Sequence, residues 1–145
     1  MQLTREQVLW KFEGIYRDST AESYAAAGFG FEYTLQNNGG LPMDISLLSE
    51  YHIDSRGENS RTFDNDIGFG IRFGLHDSKS TTFLAGFVYD LNGNGNIFSI
   101  ESSRRIANDW TLVFDARFFG GQSIGDSGYD VKQDDHIELT LSYYF

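Results

Sequence analysis

Two stretches of the 145-residue chain carry side chains whose types and spacing could do chemistry. The first is DLNGNGNIFSIE, residues 90–101, which fits the calcium-loop pattern D-x-[DN]-x-[DN]-G-x5-E at every fixed position. In that reading Asp90, Asn92 and Asn94 are oxygen ligands, Gly95 is the turn glycine and Glu101 the bidentate closing carboxylate. The second is the run Asp134, Asp135, His136, an imidazole beside two carboxylates, which could supply a general base. A base also needs an orienting partner and a substrate cleft, and no second acidic pair accompanies the run. It reads as a solvated loop end, and no catalytic residue is assigned. Lipase-type chemistry would need a serine beside a histidine. His52, Ser46, Ser99, Ser103 and Ser142 share one strand face, but no spacing singles out a pair, and His76 sits at a turn.

The elements flanking the first stretch decide its meaning. A calcium loop of this type is held between two helices. Here TFLAGFVY precedes it and IFSIESS follows, both alternating apolar and small or polar residues as strands do. The NGNG core is then a hairpin turn. The expected register sets Asp90 opposite Ile97 and Glu101 opposite Gly86. Glu101 would then lie about 13 Å along the strand from Asp90, too far to share an ion with it. The expectation is a tight turn, no metal and no cofactor.

The same alternation runs through the whole chain. It places strands on VLWKFEGIY (8–16), YAAAGFGFEYTL (24–35), DISLLSEYHID (44–54) and DIGFGIRFGLH (66–76). Four more follow on TFLAGFVYDL (82–91), IFSIESSRR (97–105), WTLVFDARFF (110–119) and HIELTLSYYF (136–145). Ordinary strands run about five to six residues; these match the ~9–11 that cross a bilayer. The joins at 76–80 and 107–109 are short, and that at 37–43 is moderate; those at 55–65 and 120–134, at the other end, are long. That is the pattern of an up-and-down membrane meander.

Composition narrows the classes. With 11 Lys+Arg against 21 Asp+Glu the net charge is −10, which argues against a nucleic-acid binder. With no cysteine there is neither disulfide nor thiolate chemistry. No apolar run approaches the ~18 residues of a membrane helix, and MQLTREQVLWKFEG has no secretory-leader pattern. Acidic residues in the loops, Asp18, Glu22, Asp54, Glu58, Asp64, Asp66, Asp126, Asp130, Asp134 and Asp135, are expected to attract divalent cations by their summed charge alone.

Alternation leaves open which face points outward. Eleven of the 13 phenylalanines and both tryptophans share one face, more ring volume than a narrow eight-strand interior accepts. Gly28, Gly30, Gly68, Gly70, Gly74 and Gly86 lie on the other face, beside charges of both signs. These features place the apolar face toward lipid. The opposite face then forms a lumen in which Lys11, Glu13, Glu32, Glu50, Arg72, Glu101, Arg105, Asp115, Arg117 and Glu138 must pair with one another. Trp10, Tyr16, Tyr33, Tyr51, Tyr89, Trp110 and Tyr143 fall toward stripe ends, as interfacial aromatic girdles do.

The final strand carries a recognisable pattern. Ile137, Leu139, Leu141, Tyr143 and the terminal Phe145 resemble the C-terminal signal of bacterial outer-membrane proteins. The whole chain resembles the small OmpA/OmpX-type barrels. Segments such as GFEYTL and FSIESSRRI are similar to the C-terminal part of larger, uncharacterised proteobacterial outer-membrane proteins. The resemblance implies a single-domain, eight-stranded antiparallel up-and-down transmembrane β-barrel, with the first strand paired to the last. It further implies a monomer in the bacterial outer membrane, with lipid, lipopolysaccharide or detergent around it and the barrel-assembly machinery as its partner in biogenesis. No nucleic-acid partner and no enzymatic activity are expected. The alternatives are a piece of a larger channel and a hydrolase at the barrel rim.

Overall fold

The computed structural model describes residues 2–5, 7–20, 23–36, 40, 42–57, 64–124 and 129–145, with 2–5 described as backbone only. Glu22, Glu58 and Asp126 lie outside the described residues, as do parts of the connections at 37–43, 55–65 and 120–134.

The described chain is all-β. Its strands are β1 (Gln2–Arg5), β2 (Val8–Arg17), β3 (Tyr24–Leu35), β4 (Met43–Asp54), β5 (Asn65–Leu75), β6 (Thr82–Asp90), β7 (Asn96–Ala107), β8 (Trp110–Gly120) and β9 (His136–Tyr143), with a 3-10 turn at Tyr129–Val131. They form one antiparallel sheet in chain order. The eight strands expected from alternation are β2–β9. The end where β2 starts is called lower and the end where it finishes upper.

The ladders set every row of side chains across the sheet. Trp10 lies opposite Phe31, which faces Ser49, and the row continues through Phe69, Phe87, Phe98 and Phe118. The next row up runs Phe12, Phe29, Tyr51, Ile67 and Tyr89. Rings meet along these rows: Trp10 and Phe31 at 4.9 Å between centroids, Phe12 and Phe29 at 5.0 Å. Contact at this distance adds a directional quadrupole term to the area the rings cover. The face is otherwise open, since Trp10 is 53% exposed and Phe69 54%. Among the described residues Ala116 is the only buried hydrophobic one. This sheet therefore has no folded-over core, and its ladders and ring contacts lie within one layer.

Two expectations need correction. The first strand does not pair with the last: β2 meets β1 and β3, and among the described residues β9 meets only β8. The sheet is not closed. β1, a stretch too short to show alternation, folds back on the lower half of β2 with Gln2 opposite Lys11 and Arg5 opposite Val8. The eight expected antiparallel strands all stand in one up-and-down sheet, and β1 adds a short ninth at its edge.

The second correction concerns the 90–101 hairpin. Val88, not Asp90, faces Ile97, and Leu84, not Gly86, faces Glu101. The ladder is displaced by two residues, its last pair being Tyr89 and Asn96, and the Asp90 carboxylate holds the turn beyond it. Asp90 Oδ1 accepts the backbone N–H of Asn92 at 2.8 Å and of Gly93 at 3.0 Å, while Asp90 N donates to Gly95 O at 2.9 Å. The faces are unchanged, because a shift of two preserves the parity of a strand. Glu101 now lies about 20 Å along the strand from the turn, so a calcium ion shared with Asp90 is still further from reach.

Candidate functional site

The charged face of the sheet is built from every second residue of the strands whose alternate residues make the aromatic rows. Two groups of ionised side chains form on it. In the first, Lys11 Nζ from β2 stands 3.8 Å from Glu32 Oε2 on β3 and 4.0 Å from Glu50 Oε1 on β4. Arg72 from β5 reaches over β4 to the other oxygen of Glu32, and His52 Nε2 lies 3.5 Å from Glu50 Oε2. Below them the hydroxyls of Thr34 and Ser46 share a hydrogen bond of 2.8 Å. In the second group Arg117 on β8 lies 3.7 Å from Glu101 and 3.6 Å from Asp115, and His136 Nε2 meets Asp115 Oδ1 at 3.1 Å.

Of the ten charged residues expected on this face, seven are joined: Lys11, Glu32, Glu50, Arg72, Glu101, Asp115 and Arg117. Glu13 and Arg105 form no ion pair among the described residues, and Glu138 accepts the Thr140 hydroxyl at 2.7 Å. His52 and His136 belong to these groups through their rings. Alternation puts both on the charged face, but only the paired register shows which carboxylates they meet.

Glycine makes the first group possible. A Cβ on Gly30 would fall 3.1 Å from Cβ of Lys11, and one on Gly28 would fall 3.2 Å from Nδ1 of His52. Both side chains therefore lie flat over bare backbone. Together with Glu13 and Glu50 they line a recess of about 290 Å³. Between the two groups the same face is apolar or small, with Leu48, Leu84, Val88 and Ile97 beside Gly70 and Gly86.

At the upper end three buried carboxylates gather around the 90–95 turn. Asn92 Nδ2 donates to Asp64 Oδ2 at 2.8 Å, Asp64 N donates to Asp66 Oδ2 at 2.9 Å, and Asp90 caps the turn. Among the described residues no group of three or more His, Cys, Asp or Glu side chains is arranged to hold a metal ion.

The Asp134–His136 run is used structurally. Asp135 Oδ1 accepts the Phe119 N–H at 2.8 Å, and the His136 ring lies between the Asp134 carbonyl at 3.0 Å and Asp115. His76 Nε2 meets Asp44 Oδ2 at 3.0 Å across the lower ends of β4 and β5. The aromatic girdle residues share the apolar face. Trp10, Tyr33, Trp110 and Tyr143 lie toward the lower end, with Trp110 and Tyr143 at 4.9 Å, and Tyr16, Tyr51 and Tyr89 lie toward the upper. Ile137, Leu139, Leu141 and Tyr143 face the same side on β9, and Phe145 lies just beyond that strand.

No protein-family model, no curated protein and no solved structure matches the chain.

Proposed function

We propose that the chain is an integral β-barrel protein of the bacterial outer membrane, a non-enzymatic membrane scaffold whose polar interior is held by paired charges. The observation that carries this reading is the row Trp10, Phe31, Phe69, Phe87, Phe98 and Phe118, six rings in register across one open face with only Ser49 among them. Each ring offers about 150–250 Å², and a soluble monomer rarely leaves more than a few hundred Å² of contiguous apolar surface in water. Lipid is the partner that fits a face this long, with aromatic residues at both ends and charge pairs behind it. In this reading the protein is a monomer, and β9 with Phe145 is the segment that the barrel-assembly machinery recognises. The ion pairs on the opposite face leave little room for a wide pore at eight strands.

Gel migration tests the reading. Protein refolded in detergent should run faster unheated than boiled, and should precipitate when detergent is withdrawn. A chain that remains monomeric and soluble without detergent contradicts it.

One observation favours a second reading, in which the sheet is part of a larger barrel or channel. β1 and β9 run in the same direction, so the nine-strand sheet cannot close on itself antiparallel. Discrete conductance steps in a planar bilayer would support this reading over the small barrel.

A further inference from the structure

The two open edges of the sheet fit each other, and the fit assigns a role to β1. The inference rests on the barrel reading above and concerns how such a barrel would be sealed.

Following the paired residues across the sheet gives the stagger. The path starts at Val8, the first residue of β2, and runs through Tyr33, Leu47, Ile71, Ala85, Ile100 and Ala116 to Ile137. Ile137 is next to the upper end of β9, so the path climbs the full height of the sheet. A path that climbs this way must return to β2 above the residue where it began. For eight strands spaced about 4.8 Å apart and tilted about 35–45°, with about 3.3 Å per residue, the return is displaced by roughly 8–12 residues. Only an even displacement keeps apolar side chains on one face, and of the even values about eight, ten and twelve, ten is the one that ends the β9 ladder at Phe12, just above the Val8–Lys11 stretch that β1 covers. Ile137 then faces Asp18, Leu139 faces Tyr16, Leu141 faces Gly14 and Tyr143 faces Phe12. On the charged face Glu138 meets Arg17.

In this register the Glu138–Tyr143 segment covers Phe12–Arg17, the part of β2 that β1 leaves open. β1 itself covers Val8–Lys11. The edge residues are also among the most exposed large apolar side chains, with Tyr16 at 71% and Leu139 at 65%. We infer that β9 and β1 occupy one lane beside β2, β9 above and β1 below, both running downward, so that the two ends of this sequence together make the closing strand. β1 is therefore a lower extension of the seam rather than an obstacle to it.

Disulfide mapping tests this, because the chain has no cysteine of its own. Directly opposed residues of an antiparallel pair have Cα atoms about 4.5–5.5 Å apart, within the disulfide range of about 4.4–6.8 Å. Residues displaced by two are about 7–8 Å apart and outside it. Detergent-refolded protein would carry Tyr16→Cys with Leu139→Cys for the seam, and Leu3→Cys with Trp10→Cys for β1. The displaced pairs are Tyr16→Cys with Ile137→Cys, and Tyr16→Cys with Leu141→Cys. After mild oxidation, peptide mapping of a variant carrying both expected pairs should find both bonds within one chain. The 16–139 bond should form several-fold more than either displaced pair. Preference for a displaced pair overturns the seam register, and a 16–139 bond without the 3–10 bond overturns the shared lane. Bonds only between chains, or none at the seam, overturn the inference. The barrel reading falls with it only if the heat-dependent gel shift is also lost.

Discussion

The stem of Lys11 lies flat across Gly30, with Cβ of Lys11 only 3.1 Å from where a Gly30 side chain would begin. Lys11 needs that path to stand between Glu32 and Glu50. Gly30→Ala should therefore push on the stem and destabilise the fold by about 1–3 kcal/mol, as overpacking does. Gly74 has nothing within 4 Å of its would-be Cβ, so Gly74→Ala should be neutral or gain about 0.5–1 kcal/mol by restricting the unfolded chain. Urea unfolding of the two variants in one detergent compares them directly. Equal effects would remove the special role of Gly30.

Among the described residues Arg117 is the one cation paired with both Glu101 and Asp115. The Arg117 and Glu101 side chains are about half exposed in the open sheet, where such pairs contribute about 0–1 kcal/mol. Inside a closed, narrow lumen, removing one partner strands buried charge and costs about 3–5 kcal/mol. Closure predicts the larger loss for Arg117→Met, little changed by added salt. A loss under about 1 kcal/mol that vanishes in high salt would place these charges on a solvated face.

The part of the fold legible in the sequence is the part that period-two alternation encodes. β2 through β9 stand where their apolar and polar residues alternate, because the side-chain period of a strand is independent of what it pairs with. β1 was not legible, since a run of four residues is too short to show a period. Register was harder than face. Alternation places Asp90 and Glu101 on the charged side but is blind to a shift of two. The displaced turn is held by one carboxylate accepting two N–H groups, a contact local to 90–93. Of the charged face, the members could be read but not their grouping. That grouping depends on which strands bring Lys11, Glu32 and Arg72 within reach of one another.

Asp77, in the turn between β5 and β6, accepts the Thr81 hydroxyl at 2.7 Å and the Thr81 N–H at 2.9 Å. Those two bonds, the hydroxyl first, hold its carboxyl below the usual aspartate value. A lowered folded value means the carboxylate stabilises the turn fully above the ordinary aspartate pKa. That contribution is lost as pH falls through the lowered value. Protection of the Thr81 amide against hydrogen exchange should drop over that acid window in the native chain. In Asp77→Asn it should be weaker at neutral pH and lack the acid step. An unchanged profile in Asp77→Asn would assign the step to another group.

The 90–95 turn should ignore calcium. Asp90 spends its carboxylate on Asn92 and Gly93, and Glu101 lies far down β7. Asp90→Ala should loosen the hairpin by about 1.5–3 kcal/mol, the range for hydrogen bonds to a charged group. Asp90→Asn, which keeps an acceptor, should cost less. Millimolar calcium should leave the Asn92 and Gly93 amide resonances in place. Saturable shifts there, lost in Glu101→Gln, would restore the calcium-loop reading.

The central claim is that the aromatic face meets lipid, and Phe69, in the middle of that face, reports on it most directly. A Phe69→Trp variant, with Trp10 and Trp110 replaced by Phe, would be refolded into vesicles of lipids brominated along the acyl chain. A lipid-facing ring predicts strong quenching, greatest with bromine near the bilayer centre, and little quenching by aqueous acrylamide. Strong acrylamide quenching with no effect of brominated lipid would contradict the membrane barrel.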